Sequence, residues 1–546
     1  MCENLPAAVG DRGSDSSRRH GTGLNKIASA NEASCAWRHL RETPDSQEEV
    51  TIPSVPNGTR VAAGRSRSTL LIGLALSFAG CYRDGFHYRD DATGVCWPAC
   101  ADSTADGDTT TAADPGVVPP VTPPPVTPPP TQQATGALDP TFGTAGIYRL
   151  DIGGANNVAR AAQGLDLQPD GRIVIAGVVG AGTNHDFLVL RLLESGALDA
   201  TFGAGGTTTI DFGGADDFAE SVRVQSNGTI VVAGQSNQST SVARLLTNGA
   251  LDSSFAGTGR RVLALTTDFE LVNTQVTLPD GRLRLCGHGR LSASSPTGMD
   301  LVVYGLLADG SLDPAFGSGS FAALDFFASD DFGGWCSLDA AGRLLVSGQA
   351  MGAVVGTFLT DFAVARLLAD GSYDASFSDG AGLPGRVATD FAALDDGVGA
   401  CALDASGRIV CAGSATDTTG THFALVRYLQ GGGLDSTFGT GGRLMLTMGS
   451  NDEARALIIL ADGRLMVGGF AKSARGDNDF ALAALNSDGS LATGFGVNGS
   501  VTIDTGAGRD DVVHALRVDA AGRLVVYGDA INAAGDNDIV VLRMGL

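Results

Sequence analysis

A short segment with the pattern Leu-Asp-x-x-Phe occurs seven times in this chain, with small variations and at nearly constant spacing. The successive phenylalanines are 60, 53, 61, 61, 61 and 57 residues apart. A period of this length indicates that one structural unit has been copied along the chain, as in propellers and solenoids. The seven phenylalanines are Phe142, Phe202, Phe255, Phe316, Phe377, Phe438 and Phe495.

Each unit of about 58 residues contains four short apolar segments that are separated by turn residues. An Asp-Gly-Arg turn or a close variant, such as Asp280-Gly281-Arg282, separates the second and third segments. Glycine accepts the positive φ that tight hairpins need, so this turn predicts antiparallel pairing. The pattern therefore predicts an all-β fold, a seven-bladed β-propeller of four-stranded antiparallel blades. In the second unit the four segments are 205–211, 219–224, 229–234 and 241–246.

The repeated Leu-Asp-x-x-Phe segment is expected to connect blades, with Leu and Phe filling the joint between consecutive sheets. We expect the copy at Phe142 to open the first blade, and the sequence leaves open whether it also reaches back to close the ring with the last unit. Most fourth segments also carry an arginine, and the hypothesis is that it pairs with the Asp of the following turn, for example Arg191 with Asp199. These arginines are Arg191, Arg244, Arg366, Arg427 and Arg543.

Three landmarks recur in fixed order between residues 138 and 546: Leu-Asp-x-x-Phe-Gly-x-x-Gly, Asp-Gly-Arg, and Asp-Phe-x-x-x-Arg-Leu. This pattern resembles the delta-60 repeat family, a bacterial group assigned to the β-propellers. The resemblance implies a propeller fold and supplies no catalytic residue. The third copy departs most, because Thr266-Thr267-Asp268-Phe269 replaces the usual acidic loop.

The length and net charge of the chain restrict its domain organisation and the kind of partner that it can bind. Its 546 residues exceed what one core usually serves, roughly 250–300 residues, so a modular array is expected. The formal net charge of −24, with Lys26 and Lys472 as the two lysines, argues against a nucleic-acid partner, because phosphate binding needs a basic surface. We expect a monomer.

The first part of the chain resembles an export signal. Residues 1–60 show no sustained apolar period and are interpreted as disordered. Residues 61–81 combine a basic flank with an apolar run that is too short to span a membrane, which is typical of a secretory signal. The end of that run, 78–81, resembles a bacterial lipobox and predicts a lipidated Cys81, although Phe78 stands where Leu is usual. We also hypothesise that translation begins near Val61, which would place residues 1–60 upstream of the true start.

Residues 82–137 read as a tether. They contain Cys96 and Cys100, a threonine-rich acidic run, and the proline-rich segment 115–130. Proline at this density favours extended polyproline II, a semi-rigid spacer. Two cysteines without a second pair nearby favour a local disulfide over a metal site.

Aspartates accumulate in loops that the alternating strand directions place on one face. Clustered carboxylates are the ligands that Ca²⁺ prefers. Aspartates in loops also accept hydrogen bonds from backbone N–H groups and then need no metal. Because the acids recur in almost every unit and no uninterrupted Asp-x-Asp-x-Asp-Gly loop is present in the array, the sequence favours this structural role, with Ca²⁺ as the alternative.

Two groups of acids form this predicted face. The first group consists of Asp211 with Asp216 and Asp217, Asp325 with Asp330 and Asp331, Asp390 with Asp395 and Asp396, and Asp504 with Asp510 and Asp511. The second group stands before the fourth segments and consists of Asp186, Asp300, Asp361, Asp479 and Asp538.

Four cysteines lie within the array. A three-residue hairpin loop would place Cys401 opposite Cys411 within disulfide range, and a two-residue loop would place them on different faces. Cys286 and Cys336 are interpreted as buried small apolar residues.

The combined prediction is an exported lipoprotein at the bacterial outer membrane or cell surface, held in the membrane through Cys81. It would present a propeller that binds an unknown protein or glycan, or that serves as a structural scaffold. The sequence favours a non-catalytic role without a cofactor. The alternative is a carbohydrate-active hydrolase or lyase that uses carboxylates at the rim of the acidic face.

Overall fold

The computed structural model describes residues 135–546 apart from 152–162, 182–183, 214–215, 264–268, 291–297, 353–358, 381, 392–393 and 507. The predicted segments 1–60 and 61–81, most of the tether 82–137, and Cys81, Cys96 and Cys100 lie outside the described residues, as does most of the divergent loop of the third copy. No helix among the described residues is long and apolar enough to cross a membrane.

The described residues form 28 short strands. The first fourteen are β1 Ile147–Leu150, β2 Leu165–Leu167, β3 Ile173–Ala181, β4 Asn184–Leu192, β5 Thr207–Ile210, β6 Asp217–Val224, β7 Ile230–Ser236, β8 Ser239–Leu245, β9 Arg260–Leu263, β10 Phe269–Thr277, β11 Leu283–Arg290, β12 Asp300–Leu306, β13 Phe321–Leu324 and β14 Asp331–Leu338. The others are β15 Leu344–Met351, β16 Thr360–Leu367, β17 Arg386–Thr389, β18 Asp396–Leu403, β19 Ile409–Asp417, β20 Gly420–Tyr428, β21 Arg443–Leu446, β22 Asp452–Ile459, β23 Leu465–Lys472, β24 Asn478–Leu485, β25 Ser500–Ile503, β26 Asp511–Val518, β27 Leu524–Ile531 and β28 Asn537–Met544.

These strands form seven antiparallel four-stranded sheets, which confirms the predicted seven-bladed β-propeller. Blades 1 to 6 are β2–β5, β6–β9, β10–β13, β14–β17, β18–β21 and β22–β25, and blade 7 is β26–β28 with β1. The first strand of each blade contacts the first strand of its neighbours, so these inner strands surround the propeller axis.

The blades do not coincide with the predicted units. In the second unit, segment 205–211 was predicted to share a blade with the three segments that follow, and this grouping is wrong. Strand β5 pairs with β4 and completes blade 1. Strands β6, β7 and β8 form blade 2, and its fourth strand, β9 from the next unit, pairs with β8. The reason is the Leu-Asp-x-x-Phe segment, which folds β5 back as a hairpin onto the strand before it.

The same offset closes the ring. The copy at Phe142 was expected to open the first blade, but the strand after it, β1, pairs with β28 and completes blade 7. Asp139 reinforces the contact, because its backbone N–H donates to the carbonyl of Arg543 at 2.7 Å. The two ends of the array therefore share one sheet.

The repeated phenylalanines fill the joints between blades, as expected. Phe202 is fully buried and lies against Gly249 in the corresponding turn of the next blade. A side chain at Gly249 would come within about 3 Å of that ring, and its φ of +86° also favours glycine. The N–H of Gly203 donates to the carbonyl of Asn248 at 2.8 Å, so the turns of consecutive blades are hydrogen-bonded.

Two disulfides lie within the array. Cys401 faces Cys411 across the hairpin of blade 5 and is bonded to it, because the loop between them has three residues, with Asp404 opposite Arg408. Cys286 is buried, as interpreted from sequence, but it is bonded to Cys336 in the next blade. The interpretation of these two residues as free apolar side chains is therefore wrong.

Candidate functional site

Carboxylates from three different strands meet on one face of the propeller. In each group the first aspartate lies at or near the start of the third strand of a blade, and the second follows the fourth strand of the same blade. The third aspartate begins the inner strand of the next blade. One oxygen from each member lies within 4.8 Å of the other two. We call these groups the acid triads and their side of the propeller the acidic face. They are Asp186–Asp211–Asp217, Asp300–Asp325–Asp331, Asp361–Asp390–Asp396 and Asp479–Asp504–Asp511.

Asp331 shows how a triad is held. Its side chain is 0% exposed, and one carboxylate oxygen accepts the backbone N–H of Phe326 at 2.9 Å. The other oxygen, Oδ1, has no hydrogen-bond partner among the described residues. Burial, together with repulsion from Asp325 and Asp300, raises the pKa of Asp331 to about 8 although the bond from Phe326 opposes the shift. An ionised Asp331 is therefore costly unless something else compensates its charge.

The other triads have the same electrostatic character. Burial first and neighbouring carboxylates second raise the pKa of Asp396 to about 7 and that of Asp361 to about 6. The pKa of Asp511 is raised to about 7, again mainly by burial. Asp217 is also fully buried, and its pKa is raised in the same direction.

The structure divides the predicted acidic pairs. Asp217, Asp331 and Asp396 join the triads with Asp211, Asp325 and Asp390, as the predicted clusters had them. Asp216, Asp330 and Asp395 do not. Their places are taken by Asp186, Asp300 and Asp361, which the sequence had put on this face but not among the candidate ligands.

The excluded aspartates have structural partners. Asp330 accepts the N–H of Met299 at 2.8 Å, and Asp395 accepts the N–H of Thr360 at 3.3 Å. Asp216 lies 2.6 Å from Nδ1 of His185. Consecutive residues of an extended chain point in opposite directions, so only one member of each Asp-Asp pair can enter a triad.

The opposite face carries the arginine latches that the sequence predicted. Arg366 donates from Nε to Asp374 at 2.8 Å, from Nη2 to Ser376 at 3.1 Å, and from Nη1 to the carbonyl of Gln430 in the next blade. Its guanidinium also lies 4.8 Å from the centre of the Phe377 ring. The equivalent pairs are Arg191–Asp199, Arg244–Asp252, Arg427–Asp435 and Arg543–Asp139.

A family model described as a domain of unknown function (DUF5122) beta-propeller matches residues 168–202, 225–255, 353–377, 405–438 and 460–495. Each match ends on one of the repeated phenylalanines, and together the matches lie across the array in the same register as the pattern found in the sequence. These repeats belong to the delta-60 family.

Solved structures that resemble this chain do so at low sequence identity. A catalytically inactive virginiamycin B lyase from Staphylococcus aureus with quinupristin is 8% identical, and the match covers 72% of this chain and 98% of the lyase, with a TM-score of 0.43. An ulvan lyase of a polysaccharide lyase family, bound to -[GlcA(1-4)Rha3S]-, is 12% identical, and the match covers 73% of this chain and 96% of that lyase, with a TM-score of 0.42. No curated protein matches the chain.

Two of the delta-60 repeats build the latch differently. In blade 3, Gly305 stands in place of the arginine, and Arg284 from the adjacent strand reaches Asp313 at 3.0 Å and stacks 4.2 Å from the Phe316 ring. In blade 6, both partners are alanine, Ala484 and Ala492, while the backbone bond between them is kept. The loss of arginine and aspartate together shows that the two residues act as a pair.

Other delta-60 joints carry different residues at the triad positions. At the joint after blade 5 the equivalent positions hold His422, Thr447 and Asp452; His422 bonds to Thr447 at 3.2 Å, and Asp452 accepts the backbone N–H of Gly449 at 2.9 Å. In blade 7, Arg149 lies 2.9 Å from Asp538. The composition of the acidic face therefore varies from joint to joint.

Two cavities among the described residues bear on ligand binding. One, near the axis, measures about 10 Å³ and is lined by residues that include Gln163 and Trp335. That volume corresponds to about one water molecule. The other is an open cleft of about 490 Å³ on the acidic face at blade 6, lined by Lys472, Asp479 and the segment 448–450 among others.

The raised pKa values predict how stability depends on pH when no cation is bound. A carboxyl with a pKa above 3.8 in the folded state keeps its proton where the unfolded chain has lost it. The triads thus contribute stability below about pH 4 that is lost as pH rises through about 6 to 8. In chelator we expect the melting temperature to fall by several degrees between pH 5 and pH 8.5 in circular dichroism melts, and Asp331→Asn to reduce that slope. A slope identical in the variant would contradict the assignment.

Proposed function

We propose that this protein is an exported, lipid-anchored propeller that acts as a monomeric binding or structural scaffold at the bacterial cell envelope, at the outer membrane or cell surface, without catalysing a reaction. The lipobox-like segment 78–81 and the proline-rich spacer 115–130 support anchoring through Cys81 and presentation of the array away from the membrane. The acidic composition argues against a nucleic-acid partner.

The observation that carries the proposal is the repetition of the polar groups. Acid triads occur at four joints and the same arginine latch occurs in five blades. A catalytic site combines a nucleophile, acid or base with partner groups in one pocket. In an array of copied units we expect such a combination to interrupt the repeat. The described latches that depart from the repeat, in blades 3 and 6, exchange or lose polar groups without adding reactive ones.

The open cleft at blade 6 is the best place for a ligand on this scaffold. Its volume falls in the range of small-molecule sites, roughly 300–1,000 Å³. Its wall combines a lysine, a carboxylate, hydroxyl groups and backbone, which suits a polar ligand such as a glycan chain. Lys472 is the only lysine within the array, so no other joint has a lysine ammonium group at its cleft.

Binding and anchoring are tested separately. The full chain with Cys81→Ser, kept in solution, is screened against envelope glycans and peptides for binding and for product release. We expect Lys472→Glu to weaken binding at least tenfold, while Arg464→Glu, an exposed charge in the hairpin turn on the opposite face, leaves it unchanged. Cleavage of any glycan at a steady rate would overturn the scaffold role. Recovery of native protein and the Cys81→Ser variant in the same soluble fraction would overturn the lipid anchor.

A further inference from the structure

We infer that the acid triads are binding sites for a hard divalent cation of the Ca²⁺ class, and that each ion ties two consecutive blades together. The members of a triad come from the third and fourth strands of one blade and from the start of the inner strand of the next. An ion bound to all three therefore bridges the joint between blades. This inference does not depend on what the propeller binds or on where it is located.

The geometry suits one ion per triad. Oxygens bound to a single Ca²⁺ at 2.3–2.6 Å are at most about 5 Å apart, and the three oxygens of each triad lie within 4.8 Å of one another. The donors are all carboxylates, which hard cations prefer. Mg²⁺ demands near-ideal octahedral geometry at about 2.0–2.1 Å and gives up its water reluctantly, so a site formed by three carboxylates at a joint between blades suits Ca²⁺ better. Waters would complete the coordination on the solvent side.

A second observation points to a missing partner. Asp217, Asp331, Asp396 and Asp511 are almost fully buried, and in each one oxygen accepts a backbone N–H while Oδ1 has no hydrogen-bond partner among the described residues. The backbone bond fixes the carboxylate at the joint. Buried polar atoms are normally satisfied. The equivalent oxygen of Asp452, at the joint after blade 5, also has no hydrogen-bond partner among the described residues. At the four triads two further carboxylate oxygens lie within 4.8 Å of each ligand oxygen, and the unsatisfied oxygen there indicates a bound cation.

At other joints the chain itself supplies a positive charge that pairs with the aspartates of the acidic face. Arg149 pairs with Asp538 in blade 7. At blade 6, Arg475 reaches Asp504 at 2.8 Å and Asp479 at 3.5 Å, although its side chain is half exposed. Beside the triad of Asp325, by contrast, Arg386 donates to the backbone carbonyl of Asp325 and stacks on Tyr373. An external cation is therefore needed most at Asp300–Asp325–Asp331 and Asp361–Asp390–Asp396.

The competing explanation is a proton shared among the three carboxylates, which would also relieve their repulsion. The two explanations predict different responses to calcium. A shared proton makes stability independent of calcium, whereas an ion site makes stability rise with calcium and makes a single triad variant lose one bound ion.

The test uses the full chain with Cys81→Ser, stripped with chelator and then titrated with CaCl₂ at constant ionic strength. Bound calcium is counted by equilibrium dialysis, and the melting temperature is measured in parallel. We expect up to four ions per chain, one per triad, with dissociation constants on the order of 10⁻⁴–10⁻³ M, as in extracellular modules. MgCl₂ should bind at least tenfold more weakly.

The decisive pair of variants is Asp331→Asn with Asp330→Asn as the matched control. Asp331→Asn should lose one bound ion and part of the calcium-induced rise in melting temperature, yet melt at the same or a higher temperature in chelator. Asp330→Asn should keep every ion, because Asp330 accepts a backbone N–H outside the triad. Arg475→Gln should tighten binding at blade 6. No bound calcium at about 10 mM, well above that range, or equal ion loss in both Asn variants, would overturn the inference.

Discussion

Replacing Arg366 by alanine is expected to lower the free energy of unfolding by about 3 kcal/mol, the lower end of the usual cost of removing one partner of a buried ion pair. Arg366 is 3% exposed, and the substitution leaves the buried Asp374 with Arg343, at 3.0 Å, as its remaining arginine partner. It also removes the bond to the carbonyl of Gln430 and the stacking on Phe377, both of which help to hold the joint to the next blade. Chemical denaturation of the purified chain measures the loss.

Two further variants separate the latch from ordinary loss of packing. Arg464→Ala removes an exposed pair with Asp462 and should cost less than about 1 kcal/mol. The double variant Arg366→Ala with Asp374→Ala reproduces the arrangement of Ala484 and Ala492 in blade 6, and it should recover part of the stability because the buried carboxylate that lost Arg366 is removed as well. An unchanged stability of Arg366→Ala would refute the latch, and a double variant less stable than the single one would refute the pairing.

Removing strand β1 should have the second large effect. A chain that begins after residue 151 lacks the fourth strand of blade 7 and the Asp139–Arg543 pair, and it exposes the edge of β28. We expect the melting temperature to fall by about 10 °C or more, since each lost kcal/mol lowers it by about 2–4 °C in domains of 150–250 residues. The exposed edge should also promote self-association, because an unpaired strand edge is a template for pairing.

The matched control is deletion of residues 82–130, which stops short of β1. That chain should melt as the native protein does and stay monomeric in size-exclusion chromatography. Hydrogen exchange adds a local readout: protection in β26, β27 and β28 should fall in the chain without β1 and stay unchanged in the control. Equal melting temperatures for the two deletions would show that β1 does not hold the ring closed.

Local pattern was sufficient for the architecture of the array. Apolar segments of strand length, hairpin turns such as Asp280-Gly281-Arg282, and the spacing of the phenylalanines predicted the propeller and its seven blades. The partner of Arg191 was also accessible, because Asp199 lies eight residues away in the next turn. These features depend on residues close together in sequence, where turn chemistry and strand alternation decide the outcome.

Features that depend on contacts between units were missed. The grouping of strands into blades went wrong because strand positions do not say which neighbour a terminal strand pairs with. Asp300 was placed on the acidic face but not among the candidate ligands, because it lies far from Asp331 in sequence and in a different blade. Cys286 and Cys336 are 50 residues apart on different blades, and no local signal joins them.

The offset between units and blades has a consequence for how such a ring can change in evolution. Each unit gives one strand to the blade before it and three strands to the blade after it. A chain with any whole number of units therefore ends with a sheet of three strands and starts with the one strand that completes this sheet. Recombination that adds or deletes a whole repeat in the gene leaves these ends complementary, so the ring can grow or shrink by one blade without an unpaired edge.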